Sequence, residues 1–213
     1  MSGEPPLKAQ CLPFTQIPHT SRLFLDFLSG VPGVKPFFPR DLNFSQWSKD
    51  EAGKIQYDSA RRQKIAAILD RQNKSWGASS KTLENISRLK SGAVAVVTGQ
   101  QVGLFGGPLF SVLKALSAVK LAEAASQTGV DAVPVFWLAT QDHDLDEIQG
   151  ISLPGAETLQ KVTATSHGVP GSPVATVSLG PEIEEVVKAA EQLLGESEIT
   201  TFLRESYTPD ATY

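Results

Sequence analysis

Cysteine is almost missing from this chain: among 213 residues there is only Cys11. A single thiol can form neither an internal disulfide nor a Cys-rich zinc site. It sits in a Pro-rich stretch with no basic neighbour, so it reads as an inert thiol. Long apolar runs are missing too. Nothing approaches the roughly 18 consecutive apolar residues of a membrane span. Residues Met1 to Gln10 lack the apolar core of a secretory signal. The expected location is therefore the cytoplasm, with no membrane partner. Clustered positive charge is also lacking. Lys and Arg number 19 against 23 Asp and Glu, a net charge of -4. Nucleic-acid binding needs basic residues gathered in one place, so no nucleic-acid partner is expected. The one small cluster, Arg61, Arg62 and Lys64, reads as a solvated helix face. Histidine is limited to His19, His143 and His167. Two-metal hydrolase sites draw several His and Asp from separate segments, and no metal is expected from this protein alone. No internal repeat is visible.

The chain does have an ordinary globular composition, 41% apolar and 20% charged. Its length suits one core, or one domain with a small appendage. Residues 1–92 read as loop and helix leading into a core. Pro5, Pro6, Pro13 and Pro18 break any early periodicity, and Pro32, Pro36 and Pro39 impose a second irregular stretch. Helical spacing predicts a short helix over Ser21–Leu28 and further helices over Tyr57–Trp76 and Thr82–Lys90. Residues 93–150 read as the core itself. Ala93–Val97 is a short, Val-rich run suited to a buried parallel strand. A Gly-rich turn and a helix follow, the helix carrying Leu109, Val112, Leu113, Leu116 and Val119 on one side, with Pro108 at its first position. Ala132–Ala139 is a second such strand. Strand, turn, helix, strand is a βαβ unit, which predicts an α/β fold with a Rossmann-like parallel sheet. Residues 151–213 read as the start of an inserted α/β segment. Leu159–Thr165 and Val174–Leu179 are its expected strands, and Pro181–Leu194 its helix.

Two clusters carry chemistry. The first is the turn after the first strand, with Gly99, Gln100, Gln101, Gly103, Gly106 and Gly107. Glycines allow close backbone approach, and a helix N-terminus carries positive partial charge. Together they favour a phosphate or carboxylate, with Lys114 one to two turns in as an added cation. The turn has neither Gly-Lys-Ser/Thr nor Gly-x-Gly-x-x-Gly, so it is not a P-loop, and a dinucleotide site is not indicated. Packing alone is the competing reading. The second cluster is Asp142, His143, Asp144, Asp146 and Glu147, just past the second strand. It can hold a metal, supply a general base or bind an ammonium group. Histidine is the side chain that titrates near neutrality unaided. The competing reading has Asp142 or Asp144 capping the next helix. Both clusters are expected at the C-terminal edges of neighbouring parallel strands, where open α/β sheets place ligands.

Thr98-Gly-Gln-Gln-x-Gly-Leu-Phe-Gly-Gly-Pro-Leu-Phe110 and Val133-Pro-Val-Phe-Trp-Leu-Ala-x-x-Asp-His-Asp144, followed by Glu147, resemble the two signatures of the bacillithiol-biosynthesis cysteine-adding enzyme family. The Phe37-Phe-Pro39 stretch is similar as well. One departure is Gln141, where the family commonly has Glu. The resemblance implies a nucleotidyltransferase-like core, similar to those of class I aminoacyl-tRNA synthetases, with a small inserted α+β unit. It implies that this chain is an N-terminal portion, ending before a coiled coil through which the family dimerises. It further implies an amide-forming ligase that joins cysteine to glucosaminyl malate, with ATP as the activating cofactor. On that reading Asp142, His143 and Asp144 are catalytic. Gly99, Gln100, Gln101, Gly103, Gly106, Gly107, Lys114 and Glu147 bind substrate. The alternatives are a metal-dependent phosphoesterase using Asp142, His143 and Asp144, and a ligand-binding module without chemistry.

Overall fold

A computed structural model describes residues 10–40, 42–165 and 168–213. His167 and the residues before Gln10 lie outside the described residues, and so do the readings that fall on them. The chain divides into two compact units, one ending at Lys54 and the other beginning at Ile55.

The first unit holds α1 (Arg22–Leu28) and α2 (Phe44–Lys54). Ser21 caps α1, its Oγ accepting the Phe24 N–H at 3.2 Å, which satisfies one orphan donor of the first turn. Phe14 meets Phe24 of the helix edge-on, and Phe38 packs on Phe27 at a tilt. The sequence reading left α2 unassigned.

The second unit opens with α3 (Ser59–Ser75) and α4 (Ser80–Ser91), N-capped by Asp58 and Ser79. Arg62 is not part of a solvated face. Its guanidinium donates to the carbonyls of Leu89 at 2.8 Å and Ala93 at 3.0 Å, tying α3 to the end of α4. Next come β1 (Val94–Gln100), α5 (Leu109–Gln127) and β2 (Ala132–Leu138). The strands pair in parallel, from Val94 opposite Ala132 to Gln100 opposite Leu138, and α5 packs on both. This is the expected βαβ core. Two details differ. β1 alternates in exposure, with Ala95 and Val97 open on one face, instead of being buried on both. On α5 the buried residues are Ser111, Ala118, Ala122 and Ala125. The large apolar stripe faces outward, with Leu109 73% and Leu116 53% exposed. Small residues let the helix lie close on the sheet, and its bulk is left on the far side. Pro108 is the N-cap, in extended backbone, one position before the first helical residue.

After β2 come α6 (Leu145–Ile148) and the antiparallel hairpin of β3 (Gly150–Pro154) and β4 (Leu159–Thr163). The partner of β4 is therefore β3, not the expected strand at Val174–Leu179. That stretch makes a 3-10 turn at Val174–Thr176 and a single bridge between Ser178 and Thr212. Its donors go elsewhere: Val174 N–H to the Asp142 carbonyl at 2.7 Å, Ala175 N–H to Thr140 at 3.2 Å. α7 (Ile183–Leu194) and α8 (Glu198–Ser206) complete the unit. α8 begins in a reciprocal Ser197–Thr200 capping box. Leu104, Ala164, Leu179, Ile183 and Val187 form a core between the Gly-rich turn and α7. Among the described residues no helix is long and apolar enough to cross a membrane.

Candidate functional site

The register of the parallel pair decides where the two clusters meet. Gln100 lies opposite Leu138, and the ladder runs one step further through Ala139 N–H to the Gln100 carbonyl at 3.0 Å. Gln101 and the Thr140–Asp144 loop therefore leave the sheet side by side. Gly99 makes this close pairing possible. A Cβ there would stand 2.7 Å from the Trp137 carbonyl oxygen and 2.8 Å from its Cβ. Its role in the structure is close backbone packing inside the sheet.

A chain of side-chain hydrogen bonds joins the clusters. Lys114 Nζ donates to Gln100 Oε1 at 2.8 Å and to the Gly99 carbonyl at 3.1 Å. Gln100 Nε2 donates to Gln101 Oε1 at 2.9 Å. Gln101 Nε2 reaches Glu147 Oε2 at 2.8 Å. Lys114 thus points back at the end of β1. An ammonium has three donors, and these bonds use two of them.

Asp142 folds its carboxylate over its own loop. Oδ1 accepts His143 N–H at 2.7 Å and Asp144 N–H at 3.4 Å. The His143 amide is the main reason its pKa lies below the ordinary carboxylate value. Desolvation opposes the shift, while the Asp144 amide, the Gln101 side chain and the His143 charge add to it. Hydrogen bonds to the charged form favour that form, so Asp142 is an anion at neutral pH. Asp144 is the N-cap of α6, accepting Glu147 N–H at 3.3 Å. The capping role foreseen for Asp142 or Asp144 thus belongs to Asp144. The His143 side chain is 71% exposed, with Nδ1 3.8 Å from Asp142 Oδ1. It stands on the rim, open to solvent, near the Asp142 carboxylate but beyond hydrogen-bond distance of it.

The Gly-rich turn reverses direction through three consecutive left-handed residues, Phe105 at φ 53°, Gly106 at 84° and Gly107 at 75°. Among the described residues, no side chain caps the first turn of α5. Ser111 Oγ, beneath Gly107, is buried without a hydrogen-bond partner among the described residues. Beside β2 a cleft of about 840 Å³ runs between α3, α4 and the strand, past Trp76, Asn85 and Phe136 to Thr140 and Gln141. Among the described residues no three His, Cys, Asp or Glu side chains gather as a metal site. Sequence reasoning missed two supports. The Val174–Ala175 amides clamp the Thr140–Asp142 loop, and the Tyr207 hydroxyl meets the Gly106 amide at 3.2 Å. Neither has a local signal, because the partners lie more than 30 residues apart.

Comparison with known proteins places these features. The family model described as bacillithiol biosynthesis BshC, N-terminal Rossmann-like domain, matches residues 7–212. The BshC protein of Koribacter versatilis, named as a cysteine ligase, is 44% identical over 203 residues. That covers 95% of this chain and 38% of the relative. The similarly named protein of Solibacter usitatus is 34% identical over the same shares of both chains. That of Chlorobium phaeobacteroides is 38% identical over 162 residues, 72% of this chain and 29% of its own. The chain spans less than two fifths of the length of these relatives.

Proposed function

The chain belongs to the bacillithiol biosynthesis BshC family, carrying its N-terminal Rossmann-like domain, and we propose that the whole protein joins cysteine to glucosaminyl malate through an amide bond. The observation that carries this reading is the hydrogen-bonded chain from Lys114 through Gln100 and Gln101 to Glu147. It unites an anion-favouring helix end and a carboxylate cluster at one edge of a parallel sheet. Cysteine is zwitterionic, and the sugar brings an ammonium. The N-terminus of α5 favours the carboxylate through its partial positive charge. The Asp142, Asp144 and Glu147 carboxylates favour the ammonium.

Amide formation needs the amine to lose a proton before its nitrogen attacks the carboxyl carbon, and it needs a leaving group on that carbon. His143, exposed and 3.8 Å from the Asp142 carboxylate, takes the proton as general base. Asp142 stabilises the imidazolium so formed. The residues present fit a phosphate-bearing cofactor at the first turn of α5, where no side-chain cap competes among the described residues. ATP, when bound, would supply the activation that turns a carboxylate oxygen into a leaving group. The first-turn amides of α5 would hold its phosphates, while the Gly107 N–H stays bonded to the Leu104 carbonyl at 3.0 Å.

The test is direct. Purified full-length protein is incubated with cysteine and glucosaminyl malate, with and without ATP, and the products are resolved by mass spectrometry. The amide product is expected, and only with ATP. Absence of product under both conditions contradicts the proposal.

A further inference from the structure

The Gly-rich turn is held from outside its own strand and helix. Tyr207 follows α8, and its hydroxyl oxygen, across 101 residues of chain, is the second acceptor of the Gly106 N–H at 3.2 Å, beside the Gly103 carbonyl at 3.0 Å. Its ring meets Phe105 edge-on, with centroids 4.9 Å apart and planes at 83°. These are the two residues at which the turn first enters left-handed backbone. For a phenylalanine that conformation is unfavourable, and it persists only where the surroundings over-determine it.

The tyrosine is itself anchored. Leu179 N–H bonds the Ala211 carbonyl at 2.9 Å, and Gly180 N–H bonds Pro209 at 3.1 Å. Leu203 is buried on the preceding helix, and Arg204 pairs with Glu191 of α7. Phe105 and Tyr207 both pack against the Leu104–Ile183–Val187 core. Burial raises the Tyr207 pKa, against the pull of the Gly106 and Phe105 amides. The group is therefore a neutral phenol, able to accept from the turn at any physiological pH.

We propose that Tyr207 is a positioning residue: its hydroxyl fixes the Gly106 amide, and its ring fixes Phe105, so that Gly107 and Pro108 deliver the first turn of α5 in the orientation that receives the substrate's anionic group. This rests on the ligase reading, which places that group there. Tyr207 touches no reacting atom and acts through the turn. The stretch after α8 thereby takes part in shaping the edge of the parallel sheet.

Two variants of the full-length protein separate this from plain structural support. Tyr207→Phe keeps the ring and removes the hydroxyl, whereas Tyr207→Ala removes both. Hydrogen exchange over residues 101–110 is followed by mass spectrometry, and KM and kcat are measured for cysteine and ATP. For Tyr207→Phe, exchange in the turn is expected to quicken by about 2- to 3-fold, the low end for one neutral hydrogen bond, because the Gly106 amide keeps its Gly103 acceptor. KM for the anion-bearing substrate should rise by a similar factor, with kcat within about twofold and the melting temperature lowered by no more than about 2 °C. Tyr207→Ala should add a lower melting temperature. Wild-type exchange in Tyr207→Phe overturns the proposal, and so does faster exchange with an unchanged KM. A wild-type protein that forms no amide refutes the ligase reading instead. The exchange difference then still decides whether the hydroxyl holds the turn.

Discussion

Gly107 stands at φ 75° and ψ -165°, in a region of backbone space that is essentially reserved for glycine. An alanine there carries strain of about 1–3 kcal/mol. Its Cβ would also stand 3.3 Å from Ser111 Oγ, a buried atom with little room to retreat. Gly106 is the internal control. It too has positive φ, at 84°, but a Cβ there meets nothing within 4 Å. Its alanine variant pays only for left-handed backbone, about 1–2 kcal/mol. Gly107→Ala should therefore be the more destabilising of the two. At about 2–4 °C per kcal/mol for a domain of this size, its melting temperature should drop by about 2–12 °C. The assay is scanning calorimetry of the full-length protein, following the transition that contains this domain. Adding Ser111→Ala to Gly107→Ala should recover the contact part of the loss and leave the backbone part. A Gly107→Ala variant as stable as wild type would refute the reasoning, as would one less affected than Gly106→Ala.

His143→Ala in the full-length protein is expected to keep its melting temperature, because the side chain is largely exposed. It should lose about 100-fold or more in turnover, the typical value of a general base; early melting with near-normal turnover would assign the loop a structural role. Asp142→Asn keeps an acceptor for the His143 amide and loses the charge. The fold lowers the Asp142 pKa, so the charge contributes stability above the pKa of the unfolded carboxylate, and this is lost as pH falls through the folded one. The stability gap between wild type and Asp142→Asn should therefore close as pH is lowered from about 5 to 2 in a denaturant titration. A gap that widens on acidification would show that the carboxylate is not stabilised in the folded loop.

The βαβ core was legible because continuous Val-rich runs and a 3.6-residue period leave few alternatives over short lengths. The meeting of the two motifs followed from parallel pairing, which sends both strand ends to one edge. The orientation of α5 was not legible. The helix carries Leu, Val and Phe on one side and Ala on the other, and periodicity alone does not say which side meets the sheet. β3 was hidden because Gly150 and Pro154, at its two ends, both read as loop residues. Val174–Leu179 looked like a strand by composition, yet its amides serve the Thr140–Asp142 loop. The sparse apolar residues of α2 and the distance of Tyr207 from Gly106 left no pattern to read.

In the cell the whole protein is expected to carry out the cysteine-adding step. Deleting the intact gene from its bacterial host and profiling thiol-labelled metabolites tests it most directly. Bacillithiol should disappear and glucosaminyl malate should accumulate, both reversed when the gene is restored. Undiminished bacillithiol in a deletion strain without a second copy of the gene would contradict the account.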